Sequence, residues 1–269
     1  MRDFPANADY EGTDILLQVL RAHDVKVTFG IVGQVALAGE QWDHCQEQIQ
    51  AIHQARHEIA SHSMTHRYLP PMRDGELLEE VAASKRALEE CIGSRIQGFI
   101  PPFNRPSHFP EGGAFSFSEV FGFDGRGRGR QSIGTMLRTL SAAGFGWSRV
   151  SFESKYYQIG RRFGVVAERA PMQPFVFKNM VAIPLHHTGF GNDARMLIRR
   201  WLGTDLILTL YGHPNQALSA NGQNANELDR LLSELRPARD EGTLEFNTMG
   251  EIAALTRGDP IESRREMLV

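Results

Sequence analysis

What this sequence has little of narrows its class before any motif is read. It has two cysteines, Cys45 and Cys91, both in stretches whose pattern predicts helices. That is no disulfide framework, and it fits a reducing compartment. No segment approaches the ~18 consecutive apolar residues of a membrane span. The opening MRDFPANADYEG carries no apolar signal core, so the expected location is cytoplasmic. A large excess of charge of one sign is also missing: the formal net charge of −3 makes neither nucleic acid nor an anionic membrane the expected partner. There is no phosphate-binding G-x-x-x-x-G-K-[ST], no G-x-G-x-x-G after a strand and no nucleophile elbow. Internal repeats are absent, and the one low-complexity stretch is DGRGRGR at 124–130.

What is present is alternation. TDILLQVLRAH (13–23) predicts a helix with Thr13 as its cap, and VKVTFGIVG (25–33) a strand. A helix over 42–55 and a short strand at 57–62 follow. DGELLEEVAASKRALEECIG (74–93) predicts the clearest helix, capped by Asp74 and ended by Gly93. Further strands are expected at 96–103, 145–152, 180–186, 205–213 and 243–248, with helices at 132–144, 193–202 and 226–236. Strand and helix in turn predict a parallel α/β fold. The count is seven strands where a closed parallel barrel commonly has eight, and the chain opens on loop and helix. The expectation is one domain over 1–269, a distorted (β/α) barrel whose first strand is missing or truncated, with an irregular insertion at about 104–131. Parallel barrels carry their chemistry at the C-terminal strand ends, and His62, Phe103, His186 and His213 fall at such ends.

The stretch HEIASHSMTH (57–66) places His62 and His66 four apart, where two imidazoles on one helical turn can face a single point. An isolated H-x-x-x-H is most often a pair of solvent-facing histidines. A strand leading into the pair, and further histidines at other strand ends, shift the reading toward a divalent metal with at least one more ligand. Glu58 is expected to point off the barrel, and His57 and Glu58 to stand outside the chemistry. Of His186 and His187, one is a substrate contact or a histidine bonded to backbone. His23, His44, His53 and His108 read as surface or packing residues.

HEIASHSMTH resembles the H-[ST]-x-x-H motif of the polysaccharide deacetylase family, the NodB-like metal-dependent sugar deacetylases. Three further regions agree in order. TDILLQVLRAHDVKVTFGIVG resembles the family's first helix and second strand, GFIPPFN stands where the family has F-R-P-P-Y, and LILTLYGHP resembles its closing L-x-x-H-P. The resemblance spans nearly the whole chain and is weakest over 104–135 and 150–180. It implies a distorted parallel (β/α) barrel holding one divalent metal, Zn first, with Co, Ni or Fe as alternatives, on Asp3, His62 and His66.

The implied reaction is hydrolysis of an N-acyl, chiefly N-acetyl, amide on an amino sugar. The metal polarises the carbonyl and acidifies water, His213 protonates the leaving amine, and the Phe103 N–H stabilises the oxyanion. Two positions depart from the pattern. Met1 stands where an F-D-x-D pattern has its catalytic base, and Ile100 stands where the family has the arginine that orients that base; Asn104 or Arg105 could substitute. His187 is a candidate substrate contact. DGRGRGR could clamp a phosphate-linked sugar through arginine forks, although a solvated loop is the plainer reading. The competing expectation is a catalytically impaired protein that binds metal and carbohydrate. A third, RNA or anion binding through the Gly-Arg loop, runs against the net acidic charge.

Overall fold

The computed structural model describes residues 8–37, 43–104, 132–150 and 170–258. Along the chain run α1 (Ala8–Ala22), β1 (Thr28–Ile31), α2 (Asp43–Gln54), β2 (Glu58–Ser61), α3 (Asp74–Ile92), β3 (Gly98–Phe99), α4 (Ile133–Ala142), β4 (Trp147–Val150), β5 (Phe175–Phe177), β6 (Met180–Pro184), β7 (His187–Thr188), α5 (Asn192–Trp201), β8 (Leu210–Tyr211), α6 (Ala225–Asp240) and α7 (Met249–Arg257). They group into two compact units. One takes the chain up to Val27 together with Leu185–Thr248; the other takes Thr28–Pro184 and the chain from Met249 onward. The expected alternation of strand and helix is present. Among the described residues no helix is long and apolar enough to cross a membrane, and Cys45 and Cys91 form no disulfide.

The larger unit is built on a six-stranded sheet in the order β1-β2-β3-β4-β6-β5. Every neighbour pair is parallel except the edge strand β5, which runs antiparallel to β6. Such a sheet is covered on both faces. All four residues of β4 and all five of β6 are buried. α3 turns Leu77, Val81, Ser84 and Leu88 inward and stops at Gly93, whose φ of 70° is the left-handed conformation that closes a helix. Its N-cap is Arg73, with Asp74 already inside the first turn, so Asp74 acts on the helix dipole and not as the cap. α4 is capped by Ser132, whose side chain accepts from the Thr135 N–H at 3.1 Å.

The smaller unit holds α1, α5, α6 and the two-stranded parallel sheet β7-β8. Thr13 is one turn inside α1, and its hydroxyl donates to the Asp9 carbonyl at 2.7 Å, four residues back. The helix therefore starts before Thr13, because a buried threonine can satisfy its hydroxyl within the helix. Residues 243–248, expected as a strand, form none. Leu244 and Phe246 pack on a core of Ile198, Leu231 and Leu235, burying an alternating face without a strand ladder. β5 and β7 lie where the sequence pattern predicts no separate strand.

Glu58 corrects a sequence expectation. Its side chain lies on the same face of the sheet as Thr28 and Trp147, enclosed by donors. The Thr28 hydroxyl donates to Oε2 at 2.6 Å, the Gly250 N–H at the start of α7 to Oε2 at 2.8 Å, and the Trp147 indole N–H to Oε1 at 3.1 Å. Period-two reasoning fails here because Ile59, Ala60 and Ser61 are all buried, so neither face of β2 is marked as outside. Burial pushes the Glu58 carboxyl up to about 7 against the pull of its three donors, and the charge of Glu251 adds to the rise. Two close approaches pack this corner. A Cβ on Gly98 would stand 1.9 Å from the Trp147 ring, and one on Gly250 would stand 2.6 Å from Glu58 Oε1.

An unfolded glutamate titrates near 4.5 and folded Glu58 near 7, so between those values the folded chain holds the extra proton. Stability contributed at this site is therefore full below pH 4.5, falls as pH rises to about 7, and is level above. The expected loss, about 3 kcal/mol, is read by urea unfolding of wild type against Glu58→Gln at pH 4.5 and 7.5. A pH-independent difference between the two would contradict the assignment. Gly98→Ala should destabilise by about 3 kcal/mol through overpacking against Trp147; an unchanged urea midpoint would contradict the contact.

Candidate active site

The two histidines are carried by a short irregular turn after β2, not by a helix. Ser63 and His66 both have positive φ, 65° and 55°, a conformation that costs a non-glycine residue roughly 1–3 kcal/mol and persists only where its surroundings fix it. The surroundings here are specific. The His62 N–H donates to the Ile31 carbonyl at 2.7 Å, and the Gly33 and Gln34 N–H groups donate to the Ser63 and Met64 carbonyls, each at 2.9 Å. From α3, Glu80 Oε1 accepts both the Thr65 N–H at 2.7 Å and the Thr65 hydroxyl at 2.8 Å. The His66 N–H closes the turn on Ser63 Oγ at 3.0 Å. Gly33 lets this assembly close, since a Cβ there would stand 2.6 Å from the Ser84 backbone and 2.9 Å from the Met64 sulfur.

The rings of His62 and His66 lie with centroids 4.9 Å apart at an interplanar angle of 62°. His62 Nδ1 is 2.7 Å from the Ile100 carbonyl oxygen. A carbonyl can only accept, so Nδ1 carries the proton and the lone pair of the neutral ring is on Nε2. Metal-ligating histidines characteristically spend their second nitrogen in this way. As a donor set, two imidazoles at this separation, one with its tautomer set by backbone, fit two positions of a first-row divalent ion. Among the described residues no group of three His, Cys, Asp or Glu side chains comes together. Asp3, the expected third ligand, lies outside the described residues.

β3 delivers the next group. Ile100 is buried with its side chain over Gly30, where a Cβ would lie 3.0 Å from Ile100 Cδ1. Phe103 and Asn104 both adopt positive φ, 58° and 54°. The Phe103 ring is 42 % exposed and packs on His66 at 4.8 Å and Tyr68 at 6.0 Å between centroids. Asn104 Oδ1 accepts from Arg149 Nη2. Arg149 is buried on β4, one residue beyond the Phe99–Ser148 pairing and so level with Ile100. Arg105, the other expected substitute for the family's arginine, lies outside the described residues, as do His108 and the Gly-Arg stretch 124–130.

In the smaller unit, His186 and His187 follow Leu185 and, with Thr188, line an open cavity of about 340 Å³. His186 Nδ1 accepts the Thr209 N–H at 2.9 Å, so its neutral ring carries the proton on Nε2, the opposite tautomer to His62. Of the two, His186 is the backbone-bonded histidine. His213, after β8, is exposed and lies 5.2 Å from the Tyr211 ring. Its backbone N–H and its Nδ1 each lie 3.0 Å from Gln223 Oε1. His57 and His23 are buried packing residues: His57 lies edge-on to Phe29, and His23 bridges Asp229 and Arg236.

Three residues that shape these sites were not singled out by motif reading. Glu80 falls on the apolar stripe of α3 between Leu77 and Ser84, where a carboxylate is a legible anomaly. Arg149 is a charge inside the buried strand Trp147–Val150, an equally readable signal. Gln223 had none, because a carboxamide ten residues from its histidine matches no spacing rule.

Residues 5–108 match the family model described as polysaccharide deacetylase. No curated protein sequence matches the chain. Among solved structures, a Mycobacterium smegmatis protein assigned as a polysaccharide deacetylase aligns with a TM-score of 0.59 at 18% identity, covering 94% of this chain and 79% of that one. PuuE allantoinase aligns with a TM-score of 0.60 at 16% identity, covering 92% and 72%. The Xyl-CE4 domain of a multidomain xylanase from the hindgut metagenome of Trinervitermes trinervoides aligns at 0.51 and 15% identity, covering 92% and 85%. These likenesses carry the fold, and the family match carries the motif-bearing segment with HEIASHSMTH inside it. The segment 5–108 is thus similar to polysaccharide deacetylases, and the chain has the distorted (β/α) barrel type of fold of these structures.

Proposed function

We propose that the protein is a metal-dependent hydrolase that removes an N-acyl group, chiefly N-acetyl, from an amino sugar or related carbohydrate. The observation that carries this reading is the His62–His66 turn, with His62 Nδ1–H on the Ile100 carbonyl and the two rings 4.9 Å apart. His62 and His66 would hold the ion, with Asp3 as third ligand on the family resemblance. Zn suits this donor set, and Co, Ni or Fe would also be accepted. A divalent ion supplies Lewis acidity toward an amide carbonyl and acidifies water. The chain's own groups do the rest. The Phe103 N–H, in a backbone turn held by the Arg149–Asn104 bond, donates to the oxygen that gains charge. His213 gives a proton from Nε2 to the departing amine nitrogen. The exposed Phe103 ring with Tyr68 offers an apolar face to a sugar ring. His187 and Arg105 are assigned to substrate contact, and a phosphate-linked sugar would engage the Gly-Arg stretch.

Ile100 favours a second reading, in which metal and carbohydrate are bound without turnover, because its side chain fills space over Gly30 and carries no charge to orient a base.

The test is acetate release from N-acetylglucosamine oligomers by the zinc-loaded full chain. The first reading predicts release that chelation abolishes; oligomer binding without release selects the second. Both predict that His62→Ala and His66→Ala each lower metal content from about one ion per chain to a small fraction of one by elemental analysis. Undiminished metal in both variants would refute the pair as ligands.

A further inference from the structure

We propose that Gln223 is the positioning residue of His213, holding its ring in the Nδ1–H tautomer so that Nε2 is the nitrogen that exchanges the proton. The inference rests on the assignment of His213 as general acid only for its catalytic meaning; the tautomer itself follows from geometry. Gln223 Oε1 lies 3.0 Å from the His213 backbone nitrogen and 3.0 Å from Nδ1. The backbone N–H can only donate, so the carboxamide atom facing it is the oxygen. That oxygen has no hydrogen, so Nδ1 must be the second donor. The bond to one ring nitrogen decides which tautomer the other presents.

The carboxamide is itself held. The Gln223 N–H donates to Asn221 Oδ1 at 2.8 Å, and Asn221 Nδ2 donates to Gln216 Oε1. Gln216 Nε2 donates in turn to Asn215 Oδ1 at 3.1 Å. The Phe190 N–H fixes Gly222 through its carbonyl at 2.6 Å. Asn224 caps α6 by accepting from the Glu227 N–H at 2.8 Å. Gly212 lets the Phe190 ring lie against this loop, with a would-be Cβ 2.7 Å from the ring. The amide-rich run HPNQALSANGQNAN is thus a hydrogen-bonded frame with Gln223 on its inner side.

Among the described residues, groups on the elements that flank this loop are engaged as follows. Asp9 of α1 accepts the Asn215 N–H at 3.2 Å, the Tyr211 ring of β8 lies T-shaped to the His213 ring, and Glu227 of α6 is paired with Arg195. A neutral amide oxygen orients the ring as a carboxylate would, without adding a negative charge beside it. When Nε2 gives up its proton, the neutral ring keeps Nδ1–H on Gln223, so the same nitrogen is ready to be reprotonated.

The test is long-range proton–nitrogen NMR of the full chain with labelled histidine, His213 being assigned through His213→Asn. Wild type should show neutral His213 as Nδ1–H. Gln223→Ala should move most of it to Nε2–H, the form free imidazole side chains favour. The near-isosteric Gln223→Glu should keep Nδ1–H and raise the ring's titration by about one pH unit. An Nε2–H ring in wild type, or a tautomer unchanged in Gln223→Ala, overturns the proposal. Should Gln223→Ala unfold, the direction of the Gln223→Glu shift decides: a ring titrating at its wild-type pH overturns it. In acetate release, Gln223→Ala should lower kcat about tenfold with KM and metal content unchanged, and Gln223→Glu should carry activity to higher pH. Unchanged kcat overturns the catalytic role. Absence of release in wild type sinks the deacetylase reading instead and leaves the NMR result to decide the tautomer.

Discussion

The hydrogen bond from His62 Nδ1 to the Ile100 carbonyl ties the histidine turn to the strand beside it. It couples the end of β2 to the end of β3 through backbone, so the orientation of the imidazole does not depend on which side chain stands at position 100. That explains how the chain can carry isoleucine where the family it resembles has arginine and still fix the His62 ring. The same turn is pinned from β1 by the Gly33 and Gln34 N–H groups and from α3 by Glu80. Two left-handed residues in five are tolerated only because these contacts over-determine the loop.

The opposite ends of the same strands carry a different constraint. Glu58, Trp147, Gly98 and the first turn of α7 interlock, with a carboxylate taking the place of a helix cap and an indole lying where a side chain on β3 would be. A carboxyl buried there raises its own titration toward neutrality and remains acceptable because three donors meet it. Glu58 thus joins α7 to the sheet, four residues along the chain from His62.

Legibility from sequence divides along physical lines. Helices and parallel strands were readable where one face alone is apolar, as in α3, or where strand and helix alternate. The His62–His66 pair was readable because spacing along a short segment survives folding, even though the turn is irregular rather than helical. Glu58 was misplaced because a strand buried on both faces gives alternation nothing to contrast. The strand expected at 243–248 showed that buried alternation requires no ladder: Leu244 and Phe246 find a core without one. Arg149 and Gln223 act through partners that only the fold brings near, Asn104 across 45 residues and His213 across a loop of amides.

The proposed function depends on His62 and His66 sharing one ion. X-ray absorption at the zinc edge of the zinc-loaded full chain reads the ligand shell directly. Two imidazole nitrogens at about 2.0–2.1 Å with oxygen filling the remaining positions is the result expected here. A shell without imidazole, or one that keeps both imidazoles after His66→Ala, would contradict it.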